Sequence, residues 1–463
     1  MEKINQTIKD NLYKMQAYFQ SGATLDYAFR KEQLRKLKEA IVQNEAAIFE
    51  ALKKDLDKSP EESYATEVGL VLAEISVALR NLEKWMRPEK LKTNLVNFPS
   101  SSRLYRDPYG VTLIIGAWNY PFQLLLAPLV GAMAAGNCVV LKPSEVAVAT
   151  SAVIARIFRE NFDPRYISVH EGEGGEVIPG LMDAFRFDYI FYTGGTTVGK
   201  IIYQAAAKDL IPVTLELGGK SPAIVEREAD LKAAARRIVI GKFLNSGQTC
   251  VAPDYVLAQA DIKEQLFDQI VETTEKFFGK DASQSYDYGR VINRRHFDSL
   301  VSLLPEKEKI RYGGDHDRDQ LYFGPTILSE VSSGDPVMRK EIFGPILPVI
   351  SYDQKEDALK VIKKFEKPLS FYLFTQNKAH VKWWMKHASF GGGCINNTLW
   401  HLSNPNMPFG GVGDSGMGAY HGRFSFNTFS HSKAVLSTPT WFDPALKYPP
   451  FKGRLRFFKW MIK

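Results

Sequence analysis

From Val111 onward, short apolar runs alternate with helical stretches, and this alternation limits the fold more than any other feature of the chain. The run "VTLIIGA" is followed by helix-like "PFQLLLAPLVGAMAAG" and then by "NCVVLKP". "YISVHEG", "DYIFYTG" and "PVTLEL" extend the series, separated by stretches such as "TTVGKIIYQAAAKDL". Strands that are apolar throughout have both faces covered, so the pattern predicts an α/β fold: a parallel sheet with helices on both sides. Ligands of such sheets sit beyond the carboxyl ends of the strands. Asn119, Lys142, Gly194 and Glu216 fall at those ends. A second series starts near Asp230 and includes "DYVLAQA", "PILPVIS", "LSFYLFT" and "GGGCINN". Near the C-terminus, "SFNTFSHSKAV" alternates like an edge strand. Ahead of the sheet the first ninety residues read as helices, with leucine, isoleucine and phenylalanine spaced by three and four in "FRKEQLRKLKEAIVQNEAAIFEALKKDL". Pro88 ends that region, and the stretch around "PSSSR" reads as a loop or small hairpin.

A chain of 463 residues exceeds one simple core and predicts two or three domains. No apolar run approaches the ~20 residues of a membrane span, and "MEKINQTIKDNLYKM" lacks the apolar stretch of a secretory signal. Three cysteines without a C-x-x-C pair argue for a reducing, cytoplasmic setting rather than a disulfide framework. The net charge is +7, and "KYPPFKGRLRFFKWMIK" (Lys447–Lys463) holds six of the basic residues with no acidic one. That tail reads equally as a membrane-surface contact or as a segment packed on its own protein. Basic residues elsewhere are mixed with Glu and Asp, so nucleic acid is not an expected partner.

Two glycine motifs need sorting. In "TGGTTVGK", Gly194 and Gly199 have P-loop spacing, but Ile201 stands where a P-loop needs Ser or Thr to hold magnesium. A glycine turn feeding a helix can still hold a pyrophosphate on free backbone N–H groups. "GVGDSG" matches a dinucleotide fingerprint by letters alone, without the βαβ unit or the later acidic residue, and reads as a glycine-rich loop. Its Gly-Asp-Ser-Gly also resembles trypsin-like proteases, whose all-β fold does not suit this chain.

The cysteines divide by their neighbours. Cys138 in "NCVVLKP" and Cys394 in "GGGCINN" fit the usual place of a cysteine as a small buried hydrophobe. Cys250, ending "FLNSGQTC", has polar and glycine neighbours and follows a helix expected to end near Gly247. A sharp turn and nearby dipoles that lower its pKa would make it a nucleophile. Glu216 ends a strand at "LELGG", where it would meet solvent; partial desolvation there suits a general base. Asn119 in "AWNYPF" either serves a turn or offers an amide to an oxyanion.

Together and in this order, "WNYPF", "LKPSE", "FYTGGTTVGK", "LELGGKSP", "FLNSGQTC", "EIFGPILPV" and "MPFGGVGDSGMG" resemble the aldehyde dehydrogenase superfamily, over about Tyr64 to Lys433. "SYATE", "GQTCVAPDY" and "YHGRFSFNTFSH" resemble the branch that oxidises fatty and aromatic aldehydes, and bacterial apocarotenoid aldehyde dehydrogenases are similar. The resemblance implies that Cys250 attacks the aldehyde, that Asn119 and the Cys250 N–H hold the oxyanion, and that Glu216 activates water. It further implies that Lys142 contacts the adenosine ribose, that Glu341 holds the nicotinamide ribose with Phe343 beside it, and that Gly194 and Gly199 shape the pyrophosphate turn. Gly195 stands where many members have serine. Glu145 would repel the extra phosphate of NADP, so NAD is expected first and NADP second; no metal is expected. The implied organisation is a Rossmann-type cofactor domain (residues 1–98 and 112–215) and an α/β catalytic domain (216–395). A small β oligomerisation element (99–111 and 396–440) joins a hairpin near Pro99–Tyr109 to a strand near Ser425–Val435, ahead of the tail (441–463). A homodimer is implied, with Trp118, Tyr120 and Trp400 suggesting an apolar aldehyde and Tyr64, Tyr120 and His421 near its entrance.

Overall fold

The computed structural model describes residues 2–462; Met1 and Lys463, the outer ends of the N-terminal and tail stretches, lie outside them. The alternating series folds as expected. Its first sheet has the order Gly416–Met417, Val213–Glu216, Tyr189–Thr193, Val111–Ile115, Cys138–Lys142, Ile167–Val169, parallel except for the first pair. Chain order reverses between Val111–Ile115 and Tyr189–Thr193, which opens a crevice at their carboxyl ends. The helix Gln123–Ala135 is buried along its whole length, which accounts for its unbroken apolar sequence.

The second series forms a seven-stranded sheet ordered Ile310–Tyr312, Thr326–Leu328, Ile346–Tyr352, Tyr255–Gln259, Pro222–Val225, Ser370–Phe374, Gly392–Ile395. Separate apolar clusters cover its two faces, one built on Ile238, Phe267 and Ile270, the other on Phe297, Leu300 and Trp384. Only Leu217–Ser221 joins the last parallel strand of the first sheet to Pro222–Val225 of the second. Carboxyl ends of the first sheet therefore face amino ends of the second.

Helices Tyr27–Gln43, Glu45–Leu56 and Gly69–Met86 form an outer layer on Gln123–Ala135 and Val148–Asn161, the helices that cover the first sheet, and bury residues at helical spacing: Leu34, Leu37 and Ile41, then Val71, Ile75, Ala78 and Leu82. Two expectations are corrected nearby. Ser101–Pro108 is one strand rather than a hairpin; its partners are Glu89–Leu91, from before Pro99, and Ser430–Ser437. The edge strand begins only at Ser430, because Arg423–Thr428 is helical and Phe426 is buried against Trp85, with ring centroids 5.6 Å apart.

Candidate active site

Where the two sheets meet there is a cleft of about 620 Å³. Asn119, Lys142, Glu145, Gly194, Glu216, Cys250, Glu341 and Phe343 all line it, although they come from widely separated stretches of chain. Gly199 does not; it lies one turn inside the helix Thr196–Lys208, where a Cβ would come within 2.7 Å of Leu217.

The helix before Cys250 is Leu231–Phe243, shorter than its sequence implied. After it the chain turns through Asn245 and Ser246, both left-handed at φ 53° and 51°, and Gly247 at φ 74°. Non-glycine residues adopt this region at a cost of about 1–2 kcal/mol each, so the turn must be held by its surroundings. Glu62 accepts the Asn245 N–H at 2.9 Å, and the Asn245 amide donates to the carbonyls of Asn119 (2.8 Å) and Gln248 (3.1 Å). A Cβ at Gly247 would lie 2.3 Å from the Gly344 carbonyl oxygen, so only glycine lets this turn pack against the loop carrying Glu341. The glycine ahead of Cys250 thus provides close approach between two loops. Backbone N–H groups of Cys250 and Val251 point at the sulfur, yet its pKa is raised, not lowered as the sequence suggested. Burial is the main cause, reinforced by the negative charges of Glu341 and Glu216, and the N–H groups offset only part of it.

Asn119 is buried, and its Nδ2 donates to the Gln248 carbonyl at 3.0 Å, which leaves the second amide hydrogen for the cleft. Glu216 does not meet solvent as expected. It is 3 % exposed, neither carboxylate oxygen has a hydrogen-bond partner, and burial lifts it well above the usual carboxylate range. Burial and then the Asp254 charge push Glu341 up to about 8, against the Gly219 N–H, Lys220 and Lys242. Phe343 is left-handed at φ 56°; His296 contacts its carbonyl oxygen at 2.8 Å and Trp118 packs edge-on to its ring.

At the other end of the cleft Lys142 is buried and donates to Glu145 at 2.7 Å and to the Pro143 carbonyl at 2.8 Å. Burial works to raise Glu145, but the Lys142 hydrogen bond and the N–H groups of Glu145 and Gly174 outweigh it and hold the carboxylate below its ordinary value. Between the two ends, Gly195 caps the helix Thr196–Lys208 in an extended conformation, with no side-chain cap and no atom within 4 Å of a Cβ placed there. A Cβ at Gly194 would lie 2.3 Å from the Tyr192 hydroxyl. Open N–H groups at a helix start, with a lysine–glutamate pair beyond, fit the pyrophosphate and ribose of a dinucleotide.

The model of the aldehyde dehydrogenase family matches residues 3–435. The chain belongs to the aldehyde dehydrogenase family. It is 46% identical to Staphylococcus aureus 4,4'-diaponeurosporen-aldehyde dehydrogenase, over 98% of this chain and 99% of that protein. It is 43% identical to the rat "Aldehyde dehydrogenase, dimeric NADP-preferring", over 97% and 99%. The solved substrate-bound Staphylococcus aureus AldH superposes with a TM-score of 0.95 at 45% identity, covering 98% of this chain and 99% of that one. The aldehyde dehydrogenase fold, with a Rossmann-type sheet and a second α/β sheet, is therefore the fold of this chain. The chain is therefore an NAD(P)-dependent aldehyde dehydrogenase.

In this aldehyde dehydrogenase the remaining sequence candidates are scattered. Trp118 lines the cleft, while Tyr120 is buried beside it with its hydroxyl 2.6 Å from Thr249 Oγ1. Tyr64 and Trp400 are exposed outside it, and His421 lines a separate cavity of about 50 Å³ with Glu74 and Gln123. Cys138 is buried as expected, its thiol pushed up to about 12; Cys394 is only half-buried, with its sulfur 3.5 Å from His401 Nδ1. Sequence reasoning missed Tyr192, Phe409 and Tyr420, which also line the cleft. Tyr420 stands next to His421 in the quoted "YHGRFSFNTFSH", and nothing local separates the inward residue from its neighbour.

Proposed function

We propose that Cys250 is the nucleophile, Asn119 the oxyanion donor and Glu216 the base that releases the acid. The observation that carries this reading is their convergence: three groups from three distant stretches line one cleft, with Glu341 and the helix start at Gly195 on the cofactor side. The Cys250 sulfur would bond to the aldehyde carbon, giving a tetrahedral alkoxide. The Asn119 amide hydrogen and the Cys250 N–H would hold that negative charge, and the same donors would serve again when water attacks the thioester. Bound nicotinamide supplies the acceptor for the hydride that the tetrahedral carbon gives up. Glu216 would take the proton of the attacking water; its raised pKa makes it a stronger base than an ordinary carboxylate. Lys142 and Glu145 would hold the adenosine ribose, and Glu341 the nicotinamide ribose. An ionised Glu145 beside that ribose disfavours a 2′-phosphate, so NAD is the preferred cofactor and NADP a weaker one. Long apolar aldehydes are the preferred substrates, in line with the name of the diaponeurosporen-aldehyde relative.

The enzyme acts as a homodimer in this reading. Ser430–Ser437 is paired on one side only and exposes Val435 and Leu436, an edge that a second copy would cover. The tail makes peripheral contact with anionic membranes: Phe451, Leu455, Trp460 and Ile462 are exposed among basic residues, and no helix of the described residues is long and apolar enough to cross a membrane.

Reduced-nicotinamide absorbance tests the assignment, with NAD or NADP and aldehydes of increasing length. Turnover favouring NAD and longer aldehydes is expected. Cys250→Ala should abolish it while cofactor still binds; residual turnover in that variant would rule Cys250 out as the nucleophile.

A further inference from the structure

Beneath Asn119 lies a buried cation that the reaction above does not use. Lys58 is fully enclosed, and its Nζ donates to Glu67 Oε1 at 2.7 Å and to the Asn119 carbonyl at 3.3 Å. It also stands 4.1 Å over the centre of the Tyr120 ring. Glu67 is equally enclosed, and its second oxygen accepts the N–H groups of Phe122 at 2.8 Å and Gln123 at 3.3 Å. One ion pair thus grips the chain on both sides of Pro121: the cation holds 119–120, the anion 122–123. Glu62, on the same segment, holds the Asn245 N–H, and the Asn245 amide returns to the Asn119 carbonyl. That carbonyl therefore receives two donors, one from below and one from the cysteine turn. Tyr64–Val68, which carries Glu67, is a π-helical turn, a form that concentrates at functional sites.

Stability alone does not account for the pair. Two charges withdrawn from water pay a desolvation penalty that apolar residues of similar size avoid. What the pair contributes is placement, because its hydrogen bonds go to the backbone on either side of the residue that must face the alkoxide. We propose that Lys58, paired with Glu67, is a positioning residue for the oxyanion site, holding Asn119 so that its amide addresses the oxygen formed on Cys250. The proposal rests on the reading of Asn119 as the oxyanion donor.

The test uses the full-length enzyme. Lys58→Met combined with Glu67→Gln removes both charges, so neither is left buried alone, and melting curves and circular dichroism confirm folding. Turnover should fall by about 10–100-fold, the scale of a small misplacement of a catalytic group. Affinity for NADH, read by fluorescence, should stay within about twofold, because the ribose and pyrophosphate residues are untouched. In an Asn119→Ala background the same pair of substitutions should cost less than about twofold more, since the group it positions is gone. Full turnover in the folded variant, or losses that multiply with Asn119→Ala, would overturn the proposal. If the paired substitution prevents folding, Lys58→Arg replaces it, keeping the charge while its broader fork displaces the Asn119 carbonyl. A turnover loss absorbed by Asn119→Ala then supports the proposal, and unchanged turnover overturns it. Normal turnover in Asn119→Ala by itself would remove the oxyanion reading, and the positioning role with it.

Discussion

At Cys250 the surroundings oppose the thiolate, since burial and two nearby carboxylates all favour the protonated sulfur. Below the pKa of a thiol, the thiolate fraction rises tenfold for each pH unit. Alkylation of Cys250 by iodoacetamide without cofactor, followed by mass spectrometry, should therefore quicken about tenfold per unit between roughly pH 7 and 9. A plateau below pH 8 would mean that the thiol is already activated. Glu216 carries a different cost. Its folded pKa is raised, so above about pH 4.5 the folded state retains a proton that the unfolded chain releases. Stability is then lost as pH rises from there through the folded pKa. Glu216→Gln should melt higher than the parent at pH 8, with the gap closing towards pH 4, while turnover falls by roughly 10²–10⁴-fold. Equal melting at every pH would show that the carboxylate is not strained by burial.

The helix Thr196–Lys208 starts without a side-chain cap, at a position whose backbone is already extended and whose side-chain space is empty. Gly195→Ser should add a cap worth a few tenths of a kcal/mol, raising the melting temperature slightly. Its hydroxyl should also strengthen NAD binding severalfold, measured by calorimetry; weaker binding would place the pyrophosphate elsewhere. Elements of this kind were legible wherever composition and length agreed. The apolar runs at Val111, Cys138 and Tyr189 became strands because each is buried on both faces. "SFNTFSHSKAV" was misread because alternation over a few residues cannot distinguish a short helix that buries Phe426 from a strand. The motif residues of the site were legible through the family resemblance. Lys58, Glu67 and Tyr420 were not, since each acts on a partner far away in sequence, and a salt-bridged lysine looks locally like any surface lysine.

For the whole molecule, the exposed edge at Ser430–Ser437 and the basic-aromatic tail set the two remaining expectations. Analytical ultracentrifugation should give twice the chain mass of 52.2 kDa; a monomer would remove the second copy from that edge. Vesicles containing phosphatidylserine should pellet the full-length enzyme but not a version ending at Trp441, and less of it at high salt. If both versions stay in solution, the tail does not bind membranes. The pairing of the strand that ends in Glu216 has a further consequence. Val213–Glu216 is completed on its outer side by Gly416–Met417, which pairs with Glu216 and Leu215 from two hundred residues downstream (416 − 216 = 200). At synthesis rates of about 5–20 residues per second, that strand waits roughly 10–40 s on the ribosome for its neighbour. During that interval the strand bearing the future base keeps an open edge, so a nascent chain stalled before Gly416 would expose the very strand that the finished enzyme seals.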